Sequence, residues 1–445
     1  MSTELDLTRT STRKALLRVV PLLTVGGFMA YIDRTNLGIA ALDLTGDFGM
    51  DPKTYGLVAG IFFIGYMLFE VPSNVIMHKV GARPWLARIM LSWGILTILS
   101  AFTQDTLQFT IVRFFLGIAE AGYYPGVYVV LAMWFPRATL GRAMAIFLGA
   151  SPVALAFGAP IGALLLRLGG TLGWSGWRWL FLIEGIPALF VGVLIYLLLP
   201  SRPADAKWLS TDERTALENA LVTSPVDSQA EELHGLRLAL RDRRVLLLGT
   251  AYLGVNFGFY GLAFWLPQII KNELHIASSL TVGFLVAAIF LPAWVASLVV
   301  ARHSDRASER VKHLIWPMGI GGAVLMITPF FGIPWASYVA IGIAAMAIIS
   351  AYPVFWSIPS SFLVGVAAAG GIALINTIAN AAGFIGPYFI GWMTQLFGDS
   401  RWGVFGIAVL MLMCAALIRY VSPSLPASVR GGDKAKSPSV GTSKV

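Results

Sequence analysis

The chain has 445 residues, of which 57% are hydrophobic and only 12% carry a charge. A soluble globular protein usually carries about 25% charged residues, so a water-soluble body of this size is excluded. The net charge of +9 is compatible with a nucleic-acid partner, but the lysines and arginines fall mostly in alternate connections between apolar stretches, as they do in membrane proteins. The composition therefore predicts a multi-pass membrane protein with no nucleic-acid partner.

Twelve mostly apolar stretches are long enough to cross a bilayer as helices, which takes about 20 residues. They cover approximately residues 19–42, 54–78, 84–103, 108–132, 141–166, 178–199, 244–270, 279–301, 313–332, 336–361, 367–395 and 402–421. The first stretch is too long for a signal peptide and lacks a clean cleavage region. We therefore expect it to be retained as the first of twelve transmembrane helices in an all-α membrane protein.

The stretches form two sets of six, separated by a polar connection. The predicted parts are a cytoplasmic N-terminal segment (1–18), an N-terminal six-helix half (19–199), a cytoplasmic linker (200–243), a C-terminal six-helix half (244–421) and a disordered cytoplasmic tail (422–445). The tail is rich in Ser, Pro, Gly and Lys, a composition typical of disorder. In the linker, the sequence LSTDE at 209–213 indicates the start of a short helix, with Ser210 or Thr211 as its cap.

Charge in the connections predicts the orientation. Lysines and arginines gather in alternate connections, at about 78–83, 137–142, 241–244 and 302–312. Cytoplasmic loops carry the excess of Lys and Arg, so both termini are predicted to be cytoplasmic. The short basic connections after the second and eighth helices occupy matching places in the two halves, which is a weak internal repeat. Repeated halves with a site between them are common among secondary carriers.

Four ionisable residues lie well inside apolar stretches of the first half: Asp33, Arg34, Arg113 and Glu120. Each costs about 2.5–3.5 kcal/mol at a helix centre, so each is expected to face a cavity or a partner. Arg113 and Glu120 are two helical turns apart and share one face. Asp33 and Arg34 are adjacent and diverge by about 100°, so only one of them points straight into a cavity unless the helix is distorted.

These residue types suit the transport of an anion with protons. The guanidinium fork of Arg34 or Arg113 matches a carboxylate in two hydrogen bonds. The buried acids Asp33 and Glu120 can bind and release protons, and a proton on an acid frees an arginine from its internal partner. The alternative is that all four residues form structural salt bridges. Arg113 is open between contact with substrate and holding Glu120 or Asp33 in place.

The second half offers neutral polar side chains at the corresponding depth, among them Asn256, Tyr260 and Asn380. We expect them to supply hydrogen bonds to a substrate, with helix–helix hydrogen bonding as the alternative. Two further acids of the first half, Glu70 and Glu184, are expected to be structural. The site is thus predicted to be asymmetric, with charged side chains from the N-terminal half and neutral hydrogen-bonding side chains from the C-terminal half.

Short motifs along nearly the whole chain resemble the major facilitator superfamily, and more narrowly its anion:cation symporter family, which includes carriers for tartrate, phthalate and galactonate. They are YIDRTN at 31–36, GY at 65–66, EVPSN at 70–74, RFFLG at 113–117, EAG at 120–122, PG at 125–126, GWRW at 176–179, EGIP at 184–187, ALIN at 373–376 and GFIGP at 383–387. Each motif is weak alone, but their order and spacing are specific. The resemblance implies two six-helix halves of the major facilitator fold.

The resemblance also implies residue roles. Galactonate-type carriers have a substrate arginine at the position of Arg34 and proton-carrying acids at those of Asp33 and Glu120. They use tyrosines matching Tyr31 and Tyr66 and an asparagine matching Asn380. The sequence departs from the superfamily in the loop after the second helix, where the expected Asp before Arg is missing and His78 and Lys79 stand instead. A gating role is therefore expected at Asp305 and Arg306, in the corresponding loop of the second half.

The predicted function is a secondary active transporter that imports an organic anion with protons by alternating access. The anion is a sugar acid, a tartrate-like acid or an aromatic carboxylate, and the protein is a monomer in the plasma membrane, the inner membrane of a bacterium. The alternatives are an anion exchanger and a sugar or drug carrier of the same fold. An enzyme, a cofactor and a metal site are not expected, because no histidine lies deep in an apolar stretch and Cys414 is the single cysteine.

Overall fold

The computed structural model describes residues 2–222, 240–327, 332–363 and 366–430. The secondary structure in these ranges is helical, apart from one isolated bridge between Glu309 and Arg430. Ten helical segments of the described ranges are long and apolar enough to cross a membrane. The predicted all-α membrane fold is therefore confirmed, whereas the count of twelve spans and the orientation of the termini stay predictions.

The helices follow the predicted stretches closely, with three of those stretches split into two helices each. In chain order they are α1 (Ser2–Arg18), α2 (Val20–Asp47), α3 (Pro52–Val80), α4 (Ala82–Ser100), α5 (Thr106–Glu120), α6 (Tyr123–Trp134), α7 (Arg137–Leu148), α8 (Ala150–Leu166), α9 (Gly176–Leu198), α10 (Thr211–Val222), α11 (Arg243–Glu273), α12 (Ser279–Ala307), α13 (Val311–Ile327), α14 (Pro334–Trp356), α15 (Val366–Asn380), α16 (Ala382–Phe397), α17 (Arg401–Val421) and α18 (Ala427–Arg430). The last of these lies in the segment predicted to be a disordered tail, and residues 431–445 of that tail fall outside the described ranges.

The chain divides into two compact units. The first comprises residues 1–226, 260–291 and 383–403, and the second comprises residues 227–259, 292–382 and 404–445. Parts of α11, α12 and α16 thus cluster with the N-terminal six helices, although the sequence assigned them to the C-terminal half.

Close backbone packing in the first unit explains this grouping. A Cβ on Gly38 of α2 would lie 2.8 Å from the Ala263 carbonyl oxygen of α11, and a Cβ on Gly56 of α3 would lie 2.5 Å from the Pro387 carbonyl oxygen of α16. The Tyr55 hydroxyl donates a hydrogen bond to the Phe264 carbonyl at 2.8 Å. These contacts tie α2 and α3 to α11 and α16 near the connection between α2 and α3.

The fourth predicted stretch is interrupted where the candidate site lies. Asp105 caps α5 by accepting a hydrogen bond from the Gln108 backbone amide at 2.8 Å, as cap residues of this type commonly do. The helix ends at Glu120, and Gly122 follows with a φ of +89°, a conformation that favours glycine. A side chain on Gly122 would also collide with Ser73 of α3. The stretch predicted at 108–132 is confirmed as an apolar segment long enough to cross a membrane, Thr106–Trp134, but the break divides it into α5 and α6 and places Glu120 at a helix end.

The linker helix α10 begins as the sequence indicates. Glu213 Oε2 accepts from the Ser210 backbone amide at 2.9 Å, and the Ser210 side chain accepts from the Glu213 amide at 3.2 Å, which is a capping box. Lys14 of α1 donates to both carboxylate oxygens of Glu213, at 2.6 and 2.8 Å. The first turn of α10 is thus bound to the N-terminal helix α1.

In the second unit, α13 packs closely on its neighbours: a Cβ on Gly321 would lie 2.8 Å from the Ala347 Cβ of α14. The predicted gating residues Asp305 and Arg306 lie in the last turn of α12, and both are exposed. Asp305 forms an ion pair with Arg310 at 2.6 Å. The aspartate therefore pairs with an arginine five residues later, in the loop between α12 and α13.

Candidate functional site

Arg34 is the centre of the candidate site. It projects from α2 and is only 9% exposed. Its Nε and Nη2 atoms both donate to Oε1 of Glu120, at 2.9 and 2.5 Å. Glu120 is fully buried, and its other oxygen has no hydrogen-bond partner among the described residues. The arginine is thus held through one carboxylate oxygen, with further acceptor capacity left on the acid.

Aromatic rings surround the Arg34 guanidinium. Its Cζ atom lies 5.0 to 5.9 Å from the ring centroids of Tyr31, Phe62, Tyr66 and Tyr124. Tyr260 of α11 interacts electrostatically with Arg34 and packs on Phe63 with ring centroids 4.5 Å apart. Each well-placed ring stabilises a cation by about 0.5–2 kcal/mol, and the tyrosines add hydroxyl groups. The surroundings therefore stabilise a buried cation and provide hydrogen bonds to what it binds.

Asp33 faces another helix. Its Oδ1 accepts a hydrogen bond from the Thr97 hydroxyl of α4 at 3.0 Å, and its Oδ2 lies 3.7 Å from Nη1 of Arg113. Adjacent residues on α2 therefore turn in different directions, as their spacing predicts, with Arg34 directed to Glu120. Both nevertheless meet partners from α5.

Arg113 is a fully buried charge. It is 0% exposed, and none of its three guanidinium nitrogens has a hydrogen-bond partner in the part of the chain that the structure describes. Its stabilising contacts are the ion pair with Asp33 and the face of the Phe62 ring, 5.2 Å from its Cζ atom. Arg113 thus acts on its surroundings mainly through its charge.

The arrangement amounts to two ion pairs joining α2 to α5, Arg34 with Glu120 and Arg113 with Asp33. An isolated charge in such surroundings is strongly unfavourable. In each pair the positive and the negative charge neutralise each other. An anion that approaches one of the arginines adds a negative charge, and a proton on the neighbouring acid cancels it. The geometry can therefore link anion binding to protonation.

The structure brings together most of the predicted site residues. Tyr31, Tyr66 and Tyr260 lie around Arg34, as described above. Asn256 belongs to the second unit, where it accepts a hydrogen bond from the Tyr352 hydroxyl at 2.6 Å. Asn380 is the last residue of α15, also in the second unit. A role for these two asparagines in the site stays a prediction.

Sequence reasoning missed several contributors: Phe62, Thr97 and Tyr124. Phe62 lies one helical turn before Tyr66, and this i, i+4 spacing places both on one face of α3. Tyr124 lies just beyond the helix break at Gly122, which the sequence analysis did not predict. Thr97 carried no usable signal, because a threonine in an apolar helix usually bonds to its own backbone.

Comparison with known proteins gives consistent matches. A family model described as Major Facilitator Superfamily matches residues 23–387. A protein of Agrobacterium vitis named "Putative tartrate transporter" is 41% identical over 424 residues, which are 95% of this chain and 94% of that protein. A "Quinolone resistance transporter" of Acinetobacter baumannii is 38% identical over 416 residues, which are 93% and 94% of the two chains.

A solved structure supports the same fold. A bacterial homolog of the human lysosomal transporter Spinster, in an inward-facing and unoccupied conformation, matches with a TM-score of 0.78 and 15% identity. The match covers 94% of this chain and 98% of that one. At this identity the likeness concerns the fold alone.

Proposed function

The chain belongs to the Major Facilitator Superfamily, and on that premise we propose that it imports an organic anion together with protons. Its family, its transport activity and its multi-pass membrane location are predictions that the comparisons confirm. The named relatives are transporters, so the prediction that the chain is not an enzyme is confirmed as well. The substrate, the coupling ion and the mechanism belong to the proposal.

The observation that carries the proposal is the buried Arg34 held by Glu120. A permanently charged guanidinium offers a planar fork of donors that fits a carboxylate. The tyrosines around it provide hydroxyl groups for a polar substrate. Relatives from Agrobacterium vitis named as tartrate transporters support a carboxylate as the substrate. We therefore assign Arg34 to substrate binding.

Proton coupling follows from competition for Arg34. While Glu120 is ionised, it occupies the guanidinium and repels an incoming anion. A proton on Glu120 removes both effects and keeps the total charge of the site unchanged when the anion binds. Asp33, paired with Arg113 in the same way, offers a place for a second proton. The two acids would thus allow a dianion to enter with two protons.

Protons also supply the driving force. An anion that enters a negatively charged interior works against about 2.3 kcal/mol per charge per 100 mV. One proton for each negative charge cancels this cost, and a pH gradient then drives accumulation. The contacts that tie α2 and α3 to α11 and α16 would have to break to open the site from that end, as alternating access requires. We place the protein, as a monomer, in the inner membrane of a bacterium.

Two alternatives remain within the family. Exchange of one anion for another would use the same arginine without net proton movement. A drug carrier is supported by the relative named as a quinolone resistance transporter. The donor fork of the buried Arg34 favours an anionic substrate over a neutral one, because it fits a carboxylate.

Uptake into proteoliposomes tests the proposal. Labelled tartrate and a panel of sugar acids and aromatic carboxylates are offered with an inward proton gradient, with a membrane potential alone, or with unlabelled substrate inside. Accumulation that follows the proton gradient is expected for one or more carboxylates. Uptake that is indifferent to the gradient and requires internal anion would replace symport by exchange.

Arg34→Lys provides the matched variant. It keeps the positive charge next to Glu120 and loses the planar fork, so folding is retained while carboxylate transport falls by about tenfold or more, as expected from losing a charge-assisted hydrogen bond worth about 1.5–3 kcal/mol. Size-exclusion chromatography checks folding. Transport at the parental rate by this variant would remove Arg34 from the substrate site.

A further inference from the structure

Glu184 is a buried acid that the transport mechanism above does not use. It lies in α9 and accepts a hydrogen bond from Nδ2 of Asn36 on α2. Unlike Asp33 and Glu120, it has no ion pair with a lysine or arginine among the described residues. An ionised carboxylate inside a membrane helix normally requires a cation or water, so its bonding needs a separate explanation.

Two atoms of this contact lack partners. Glu184 Oε2 and Asn36 Oδ1 are both buried, and neither has a hydrogen-bond partner in the described part of the chain. Leaving a buried polar atom without a hydrogen-bond partner is unfavourable. Both atoms are acceptors when the carboxyl is ionised, so they cannot bond to each other in that state.

One proton removes both defects. A protonated carboxyl has one acceptor and one donor, and a primary amide has the same pair of groups. The amide Nδ2 already donates to Oε1, and a proton on Oε2 would donate to Oδ1. The two side chains would then close a ring of two hydrogen bonds. In this form both oxygens that lack a partner among the described residues, Glu184 Oε2 and Asn36 Oδ1, take part in a hydrogen bond.

The packing around Asn36 fits a fixed pair. Asn36 is 0% exposed, and a Cβ on Gly162 of α8 would lie 3.2 Å from its Oδ1. The small glycine therefore makes room for the amide. Asp33, one turn earlier on α2, is the ionisable group whose charge acts on Glu184, and its negative charge disfavours a second one nearby.

We propose that Glu184 stays protonated throughout transport and that its acid–amide pair with Asn36 is a positioning contact. The pair joins α9 to the turn of α2 that carries Asp33 and Arg34. The positioning role in transport rests on the proposed function, whereas the acid–amide pair itself does not. When an acid that is paired with an arginine gains a proton, the arginine becomes available to the substrate. Glu184 is paired with an amide, so its protonation releases no arginine. Glu184 therefore orients the site and does not carry the coupled proton.

Two substitutions of Glu184 test the positioning role. Glu184→Gln can form the same ring, since its amide also has one acceptor and a donor, and it cannot ionise. Its uptake, KM and pH profile are expected to stay within about twofold of the parent. Glu184→Leu loses both hydrogen bonds and is expected to lower kcat with folded protein still recovered. A Gln variant that loses gradient-driven uptake but keeps exchange would make Glu184 a coupling acid and overturn the proposal. Parental kcat in a folded Leu variant would overturn it too.

Infrared spectroscopy of the substrate-free protein tests the protonation independently of any transport. At alkaline pH the parent protein is expected to show the carbonyl band of a protonated carboxyl, and Glu184→Gln is expected to lose it. Absence of that band from the parent would refute the acid–amide pair even if proton-coupled uptake is observed. Presence of the band together with failed carboxylate uptake would refute the proposed function and leave the pair intact.

Discussion

Glu120→Gln offers the sharpest separation of substrate binding from proton coupling. The substituted side chain keeps a carbonyl oxygen within reach of Arg34 and loses the negative charge. The guanidinium is then no longer neutralised by its internal partner, whatever the pH. We expect this variant to bind the anion without needing a proton, while losing the ability to accumulate it along a proton gradient.

The size of the effect follows from the two hydrogen bonds between Arg34 and Glu120, at 2.9 and 2.5 Å. In the variant the Arg34 donors stay ionised and only the acceptor becomes neutral, so each bond keeps part of its strength. We take a loss of about 1 kcal/mol for each of the two bonds, out of the about 1.5–3 kcal/mol that a hydrogen bond to a charged group contributes, which makes about 2 kcal/mol in total. At about 1.4 kcal/mol per tenfold, an anion should bind the variant roughly 30-fold more tightly than the parent at alkaline pH.

Binding of a labelled carboxylate to purified protein at acidic and alkaline pH measures this change. Exchange and gradient-driven uptake are then compared in proteoliposomes. Asp105→Asn is the control, because it removes a carboxylate from the same helix at an exposed cap position where Asn caps equally well. Unchanged pH dependence of binding in Glu120→Gln would refute the coupling role. Equal loss of exchange and gradient-driven uptake would instead assign Glu120 a structural role.

Two further predictions concern the free energy of unfolding. Arg113→Met leaves Asp33 buried without its cation and should lower the free energy of unfolding by about 3–5 kcal/mol. Adding Asp33→Asn should recover most of the thermal stability without restoring gradient-driven uptake. A double variant that is no more stable than Arg113→Met would contradict the pairing. Lys14→Met should lower stability by about 0.5–1 kcal/mol. The Lys14 hydrogen bond holds the pKa of Glu213 below its ordinary value, so this contribution is fully present above about pH 4.3 and is lost as pH falls through the lowered pKa. In thermal unfolding, the difference in stability between the parent and Lys14→Met should therefore be constant above that pH. A difference that disappears near neutral pH would argue against the contact.

The positions of the buried charges could be predicted from sequence, but their pairing could not. A charged residue in an apolar stretch stands out because it is costly there, which is why Asp33, Arg34, Arg113 and Glu120 were identified. Helical spacing placed Arg113 and Glu120 on one face of one helix. Which acid each arginine meets depends on how α2 lies against α5, and no local pattern contains that information. The structure joins Arg113 to Asp33.

The aromatic surroundings of Arg34 show a different limit. Phenylalanine and tyrosine are common in membrane helices, so Phe62 and Tyr124 were indistinguishable from lipid-facing or packing residues in the sequence. The break after Glu120 was missed because the apolar character of the chain continues through it. A glycine with positive φ at position 122 causes the break, and the many glycines of this chain make one such position hard to single out. Tertiary contacts therefore decided what composition and periodicity left open.

The partner of each buried acid indicates which role we expect of it in transport. Glu120 holds Arg34, which retains 9% exposure, whereas Asp33 faces Arg113, which has none. A substrate can reach a guanidinium only if part of it is accessible, so we propose Arg34, and not Arg113, for substrate contact. We then expect Arg113 to act as a fixed positive charge beside Asp33 during transport. Glu184 completes the pattern, because an acid paired with an amide can hold a helix in place without responding to the proton gradient.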